Sequence, residues 1–80
     1  MPSKSKDHAA LGAAFRSLRN AAGWTLEDLA ERVPGGMNPR YVSAIERGEI
    51  NVSFANLLRL CEGLGVKLSD VVARYEDDRS

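Results

Sequence analysis

Arg40, Ser43, Ala44 and Arg47 recur at intervals of three and four within the stretch Asn38-Pro39-Arg40-Tyr41-Val42-Ser43-Ala44-Ile45-Glu46-Arg47-Gly48. On a helix that spacing places all four on one side. Each guanidinium offers five N–H donors in a fixed fork, and the serine hydroxyl both donates and accepts. The alanine leaves room for close approach. The chemistry on offer is non-covalent recognition by a slim helix, and the candidate groove is that of DNA. Covalent chemistry has no comparable set. The one histidine, His8, has neither carboxylate nor cysteine placed to work with it, and no nucleophile–base arrangement or metal-ligand spacing is present. Pro34-Gly35-Gly36 is no phosphate loop, since no strand precedes it and no Lys-Ser/Thr follows. An enzyme, a cofactor and a metal are therefore not expected.

The elements that must hold this surface can be read from caps and apolar periodicity. Asn38 can cap a third helix of about 39–47, with Pro39 at its first position and Gly48 closing it. Val42 and Ile45 supply its buried stripe. Leu11, Ala14, Phe15, Leu18 and Ala22 give a first helix of about 8–22, stopped at Gly23. Thr25-Leu26-Glu27-Asp28 resembles a capping box with Asp in the place of the usual Glu or Gln. It opens a second helix with Leu26, Leu29, Ala30 and Val33 inward, which Pro34 ends. Ser53 caps a fourth helix, with Phe54, Leu57, Leu58, Cys61 and Leu64 inward and Gly65 at its end. Ser69 caps a fifth, about 70–76, with Val71, Val72 and Tyr75 apolar. Short connections between helices predict a compact all-α bundle.

Eighty residues, 44% of them hydrophobic, suit one small domain. The expected division is a flexible segment 1–7, a folded domain 8–76 and an acidic tail 77–80. No run of about 18 apolar residues occurs, so no membrane span is expected, and the polar start does not read as a secretory signal. The single Cys61 precludes an internal disulfide, fits a reducing cytoplasm and reads as a small buried hydrophobe. Formal net charge is zero, which predicts weak non-specific binding to a polyanion. The charge is uneven, though: residues 1–48 carry a net +2 and residues 49–80 a net −2, with Glu76-Asp77-Asp78 near the end.

Order and spacing along residues 11–72 resemble the Cro/repressor-type (Xre-like) helix-turn-helix domains. The matching positions are Phe15-Arg16, Leu18-Arg19, Gly23-Trp24-Thr25, Leu29-Ala30-Glu31, Tyr41-Val42-Ser43, Ile45-Glu46-Arg47-Gly48, Leu57-Leu58, Leu64-Gly65-Val66 and Leu68-Ser69. The resemblance implies a five-helix lambda-repressor-like fold whose third helix enters the major groove of double-stranded DNA. It places Pro39, Arg40, Ser43 and Ala44 where base edges are read. Arg40 is the best candidate for a bidentate guanine contact. Thr25, Asn38, Tyr41, Arg47 and Asn51 fall at phosphate-contacting positions. Arg19 and Glu46 match a partly buried ion pair between the first and third helices, and Trp24 and Tyr41 read chiefly as packing residues. Two departures stand out: Leu26 occupies a position commonly held by Gln, and the turn Val33-Pro34-Gly35-Gly36-Met37 is about two residues longer than usual.

The function implied is a cytoplasmic transcriptional regulator. It would bind a near-palindromic operator as a homodimer through Val66, Val71, Val72 and Tyr75, unless those residues are core. Read as a one-domain chain it carries no ligand sensor, so operator occupancy would follow protein concentration. The alternative is a protein-binding adaptor or antitoxin-type partner, with a toxin or a polymerase as possible partner, keeping the fold with weak or no DNA binding.

Overall fold

A computed structural model describes residues 6–79, so positions 1–5 of the expected flexible segment and Ser80 of the expected tail lie outside the described residues. Five helices follow in order: α1 (Lys6–Ala22), α2 (Leu26–Arg32), α3 (Pro39–Glu46), α4 (Phe54–Leu64) and α5 (Leu68–Arg79). No strand occurs among the described residues. Local chemistry sets most of the boundaries. At α2 the capping box is complete: Thr25 Oγ1 accepts from the Asp28 N–H at 3.0 Å, and Asp28 Oδ2 accepts from the Thr25 N–H at 2.9 Å. Asn38 Oδ1 accepts from the Arg40 N–H at 2.8 Å, with Pro39 in the first turn of α3. Ser53 caps α4, and Gly65 ends it in the left-handed conformation at φ 72°.

The fifth helix differs from expectation. It starts at Leu68, because Asp70 Oδ2 accepts from the Lys67 N–H at 2.9 Å; the carboxylate three residues into the helix replaces the cap expected from Ser69. It also continues through 77–79, the stretch expected to be an acidic tail.

Ala14, Phe15, Leu29, Ala30, Val33, Val42, Ile45, Leu60, Cys61, Leu64 and Val71 form one core to which every helix contributes. Burying these aliphatic and aromatic groups is the main favourable term in the fold. On α4 the buried stripe runs through Leu60, Cys61 and Leu64, with Leu57 half-buried. Phe54 and Leu58, expected inward, are instead 64% and 39% exposed. They stand on the flank of the helix that is left largely open among the described residues. Cys61 is buried, and desolvation together with Asp70 raises its thiol above the ordinary value, so it stays protonated as a packing group.

Glycines bring two pairs of helices into backbone contact. At Gly63 an added Cβ would sit 3.1 Å from Val33, where α4 crosses the end of α2. Gly12 is tighter: a Cβ there would lie 2.2 Å from the Ile45 carbonyl oxygen and 2.5 Å from that of Glu46. α1 therefore rests directly on the backbone at the end of α3, and only hydrogen fits between them. Gly12→Ala should lower unfolding free energy by at least about 1–3 kcal/mol, the usual cost of forcing atoms into a filled core. Urea denaturation at constant m-value would measure it.

Candidate nucleic-acid interface

Arg19 and Glu46 anchor the helix that carries the candidate surface. Arg19 Nε donates to Glu46 Oε2 at 2.8 Å and its Nη2 to Oε1 at 3.0 Å, a two-pronged pair between α1 and α3. The remaining terminal nitrogen donates to the Trp24 carbonyl at 2.7 Å, tying the α1–α2 connection into the same fork. The side chains are only 11% and 5% exposed. Hydrogen bonding to Glu46 raises the arginine pKa despite partial desolvation.

With its inner edge so fixed, α3 presents the sequence-predicted residues on its outer side. Arg40 is exposed, and its guanidinium makes no hydrogen bond or ion pair among the described residues. Pro39, Ser43 and Ala44 are half-buried, and Asn38 is exposed with its carbonyl oxygen committed to the cap. Tyr41 is half-buried. Its oxygen accepts from Asn56 Nδ2 at 3.0 Å, leaving the phenolic hydrogen available to a further acceptor. Asn51 is exposed in the loop before α4.

Two expected contacts are already engaged within the chain. Arg47 makes a forked pair with Glu49, both bonds at 2.9 Å, and also donates to the Ser43 hydroxyl. A phosphate at Arg47 would have to compete with the Glu49 carboxylate, which is itself half-exposed. Thr25 is exposed, but its hydroxyl oxygen serves the capping box, and Glu27 and Asp28 add negative charge to the same turn.

The fold also gathers residues that sequence reasoning did not select. Arg16 lies with Arg19, Leu26, Ser43, Glu46 and Arg47 around a cleft of about 200 Å³ between α1, α2 and α3. Its exposed guanidinium makes no hydrogen bond or ion pair among the described residues. Its position within Phe15-Arg16 and the α1 periodicity point it away from the core, and that was the available signal. Leu26, where Gln is usual, lines the cleft with an apolar wall. On α2, Arg32 stacks over Trp24 at 3.9 Å from the ring centroid, which keeps the indole as a packing group.

Among the expected dimer residues, Val71 is 0% exposed and belongs to the core of one chain, so it cannot form a surface. Val66 is half-buried against that core. Val72 is 42% exposed, and Tyr75 is half-buried with its hydroxyl donating to Asp7 at 3.0 Å. Leu11, Val72 and Tyr75 line an apolar groove of about 260 Å³ beside Asp7 and His8.

A helix-turn-helix domain model matches residues 10–74. The chain belongs to that family of helix-turn-helix domains. It is 34% identical over 67 residues to an uncharacterised HTH-type transcriptional regulator of Sinorhizobium fredii, with 84% of each chain covered. It is also 33% identical over 66 residues to a hypothetical transcription factor of Neisseria meningitidis; that match covers 82% of this chain and 60% of the Neisseria protein's length. Among solved structures, the clp gene regulator ClgR of Corynebacterium glutamicum superposes with a TM-score of 0.82 at 39% identity, covering 89% of this chain and 90% of that one. The restriction-modification controller protein C.AhdI of Aeromonas hydrophila gives a TM-score of 0.76 at 33% identity, over 84% and 98%. The controller protein C.Esp1396I, solved as a tetramer with its 35-base-pair operator, matches in fold with a TM-score of 0.86 at 24% identity, over 95% and 97%.

Two predictions follow from the geometry of the anchors. Arg19→Met should cost about 3–5 kcal/mol by stranding the Glu46 charge, toward the lower end because the pair is not fully enclosed. The double variant Arg19→Met/Glu46→Met should recover most of that loss, and a thermodynamic cycle from chemical denaturation would read the coupling. At α2, hydrogen bonds from Thr25 hold the Asp28 carboxyl below its ordinary value of 3.8, with Arg32 assisting. A depressed folded-state pKa means the box stabilises the fold fully above that ordinary value and fades as pH falls through the lower folded one. The Tm gap between wild type and Asp28→Ala should therefore hold from pH 7 down to about pH 4 and narrow as pH falls further below 3.8.

Proposed function

We propose that this chain is a sequence-specific DNA-binding transcriptional regulator that lays α3 in the major groove. The observation that carries the reading is Arg40: an exposed, uncommitted guanidinium in the first turn of a helix whose opposite edge is immobilised by Val42, Ile45 and Glu46. A rigid support with a free fork is what bidentate recognition of guanine O6 and N7 requires. Pro39, Ser43 and Ala44 complete the base-reading edge. Asn38, Tyr41, Arg47 and Asn51 serve phosphates beside it, and Arg16 joins them from α1. Thr25 contributes least, since its oxygen is used in the cap and two carboxylates flank it.

Each copy carries one α3, whereas successive major grooves on one face of the duplex lie ~34–36 Å apart. One copy can thus read one half-site, and a homodimer is needed for a near-palindromic operator. The surface for the second copy draws on Val66, Val72 and Tyr75, and Phe54 and Leu58 of α4 are further exposed apolar residues open to a partner. The relatives include transcriptional regulators and controller proteins, which supports a regulatory role, and the cytoplasm is the compartment proposed with it.

A protein-binding adaptor is the second reading. The Arg47–Glu49 pair, which cancels one basic group on the DNA face, and the exposed Phe54 favour it. Electrophoretic retardation of random-sequence DNA separates the two. Binding at micromolar protein in about 50 mM salt supports the regulator, and its absence supports the adaptor. Selection from a random pool should then return a palindromic site. Against that site, Arg40→Ala should relax preference at one base position by about 1–3 kcal/mol. Arg47→Ala should weaken every sequence alike and reduce the salt slope by about one. Equal behaviour of the two variants would overturn this division of roles.

A further inference from the structure

We infer that Arg59, on α4, is a positioning residue that sets the angle of α3 by bracing the enlarged turn before it; the inference rests on α3 being the DNA-reading helix. The turn bends twice. Gly36 N–H donates to the Val33 carbonyl at 2.7 Å across Pro34 and Gly35, with Gly35 at φ 81°, the pattern of a type II turn. Gly36 follows at φ 76°, and the Met37 N–H returns to the Ala30 carbonyl at 3.0 Å. Pro34, Gly35 and Gly36 are all exposed. Two consecutive glycines in the left-handed region make a joint with many alternative conformations, yet α3 hangs from it.

Arg59 closes that joint from outside. Its Nε and Nη2 donate to the Pro34 carbonyl at 3.2 and 2.8 Å, and Nη2 also donates to the Gly36 carbonyl at 2.7 Å. Its Nη1 donates to Asn56 Oδ1 at 2.9 Å, and Asn56 Nδ2 donates in turn to the Tyr41 oxygen at 3.0 Å. One polar chain thus runs from the turn through α4 into the first turn of α3. A Cβ on Gly35 would stand 3.4 Å from Arg59 Nη2, an ordinary contact, so the guanidinium packs against this position and the glycine is required by its φ of 81°.

The division of labour along α3 follows. Its C-terminal end is fixed on α1 through Gly12, Gly48 and Glu46. Its N-terminal end, with Pro39 and Arg40, is steered by the brace. The turn carbonyls are exposed, so water can replace the guanidinium when it is removed. Losing the brace therefore frees the angle of α3 more than it unfolds the domain. A lysine keeps the charge but cannot span two carbonyls and Asn56 at once.

Arg59→Met and Arg59→Lys test this without DNA and with it. In the DNA-free protein, 15N order parameters of Gly35 and Gly36 should fall from about 0.85 to below about 0.6 in both variants, while Tm shifts by only a few degrees. With DNA, both variants should lose about tenfold in the ratio of selected-site to random-site affinity, the scale of one disturbed base contact. Unchanged order at Gly35 and Gly36 in Arg59→Met would overturn the brace. Full discrimination in Arg59→Lys would reduce Arg59 to a charge. Loss of fold in both variants would make it a structural residue and overturn the assignment. If the wild type binds no DNA, the regulator reading fails while the order parameters still decide whether Arg59 braces the turn.

Discussion

The seating of α1 on the end of α3 is the constraint on which the rest of the molecule depends. Two features make it. Gly12 brings the backbones together so closely that a methyl group would overlap the Ile45 carbonyl. The Arg19–Glu46 fork then spans the same contact a few residues further along α1. Neither feature would suffice alone. A glycine contact can slide, and a largely buried ion pair repays its desolvation only when its geometry is held. Together they fix position and rotation, and the third bond of Arg19, to Trp24, extends the same control to the start of α2.

That arrangement bears on where charge is left uncompensated in a chain with no net charge. Glu46 is paired with Arg19 at the cleft between α1 and α3, so the two charges offset each other there. Arg40 and Arg16 keep theirs, while Arg47 shares its charge with Glu49. Overall balance therefore says little about local field, which is set by which carboxylates are neutralised and where. Formal charge weakens long-range attraction to a polyanion without removing short-range recognition.

What could be read from the sequence tracks how local its cause is. The caps at Thr25, Asn38 and Ser53 and the stop at Gly65 are each set by a residue and the turn beside it, and the structure keeps all four. α5 escaped for a related reason: Ser69 and Asp70 are both capping residues, and only the Lys67 N–H bond shows which acts. On α4 the apolar set Phe54, Leu57, Leu58, Leu60, Cys61 and Leu64 is wider than the face its neighbours cover. Periodicity alone could not decide that Leu60 goes in and Phe54 and Leu58 stay out. Val71 and Val72 pose the same problem on α5. Arg16 and Arg59 were missed because they bear on other helices: a lone arginine on a helix reads as a solvated surface group until the fold shows what stands opposite.

The longer turn before Asn38 takes its meaning from these same contacts. A long turn next to a helix would ordinarily loosen it, since each added residue enlarges the set of loop conformations. Here the turn is Gly-rich and exposed, and its main-chain carbonyls meet an arginine from α4 that also reaches Asn56 and, through it, Tyr41. The far end of α3 has no such freedom, because α1 and Gly48 lie in backbone contact there. On the proposed reading, in which the N-terminal end of α3 faces the bases, variation in the turn and its brace would rotate that end about the C-terminal pivot held by α1 while leaving the core undisturbed. A domain built this way can alter how its helix enters a groove without changing the residues that touch the groove or those that hold the fold.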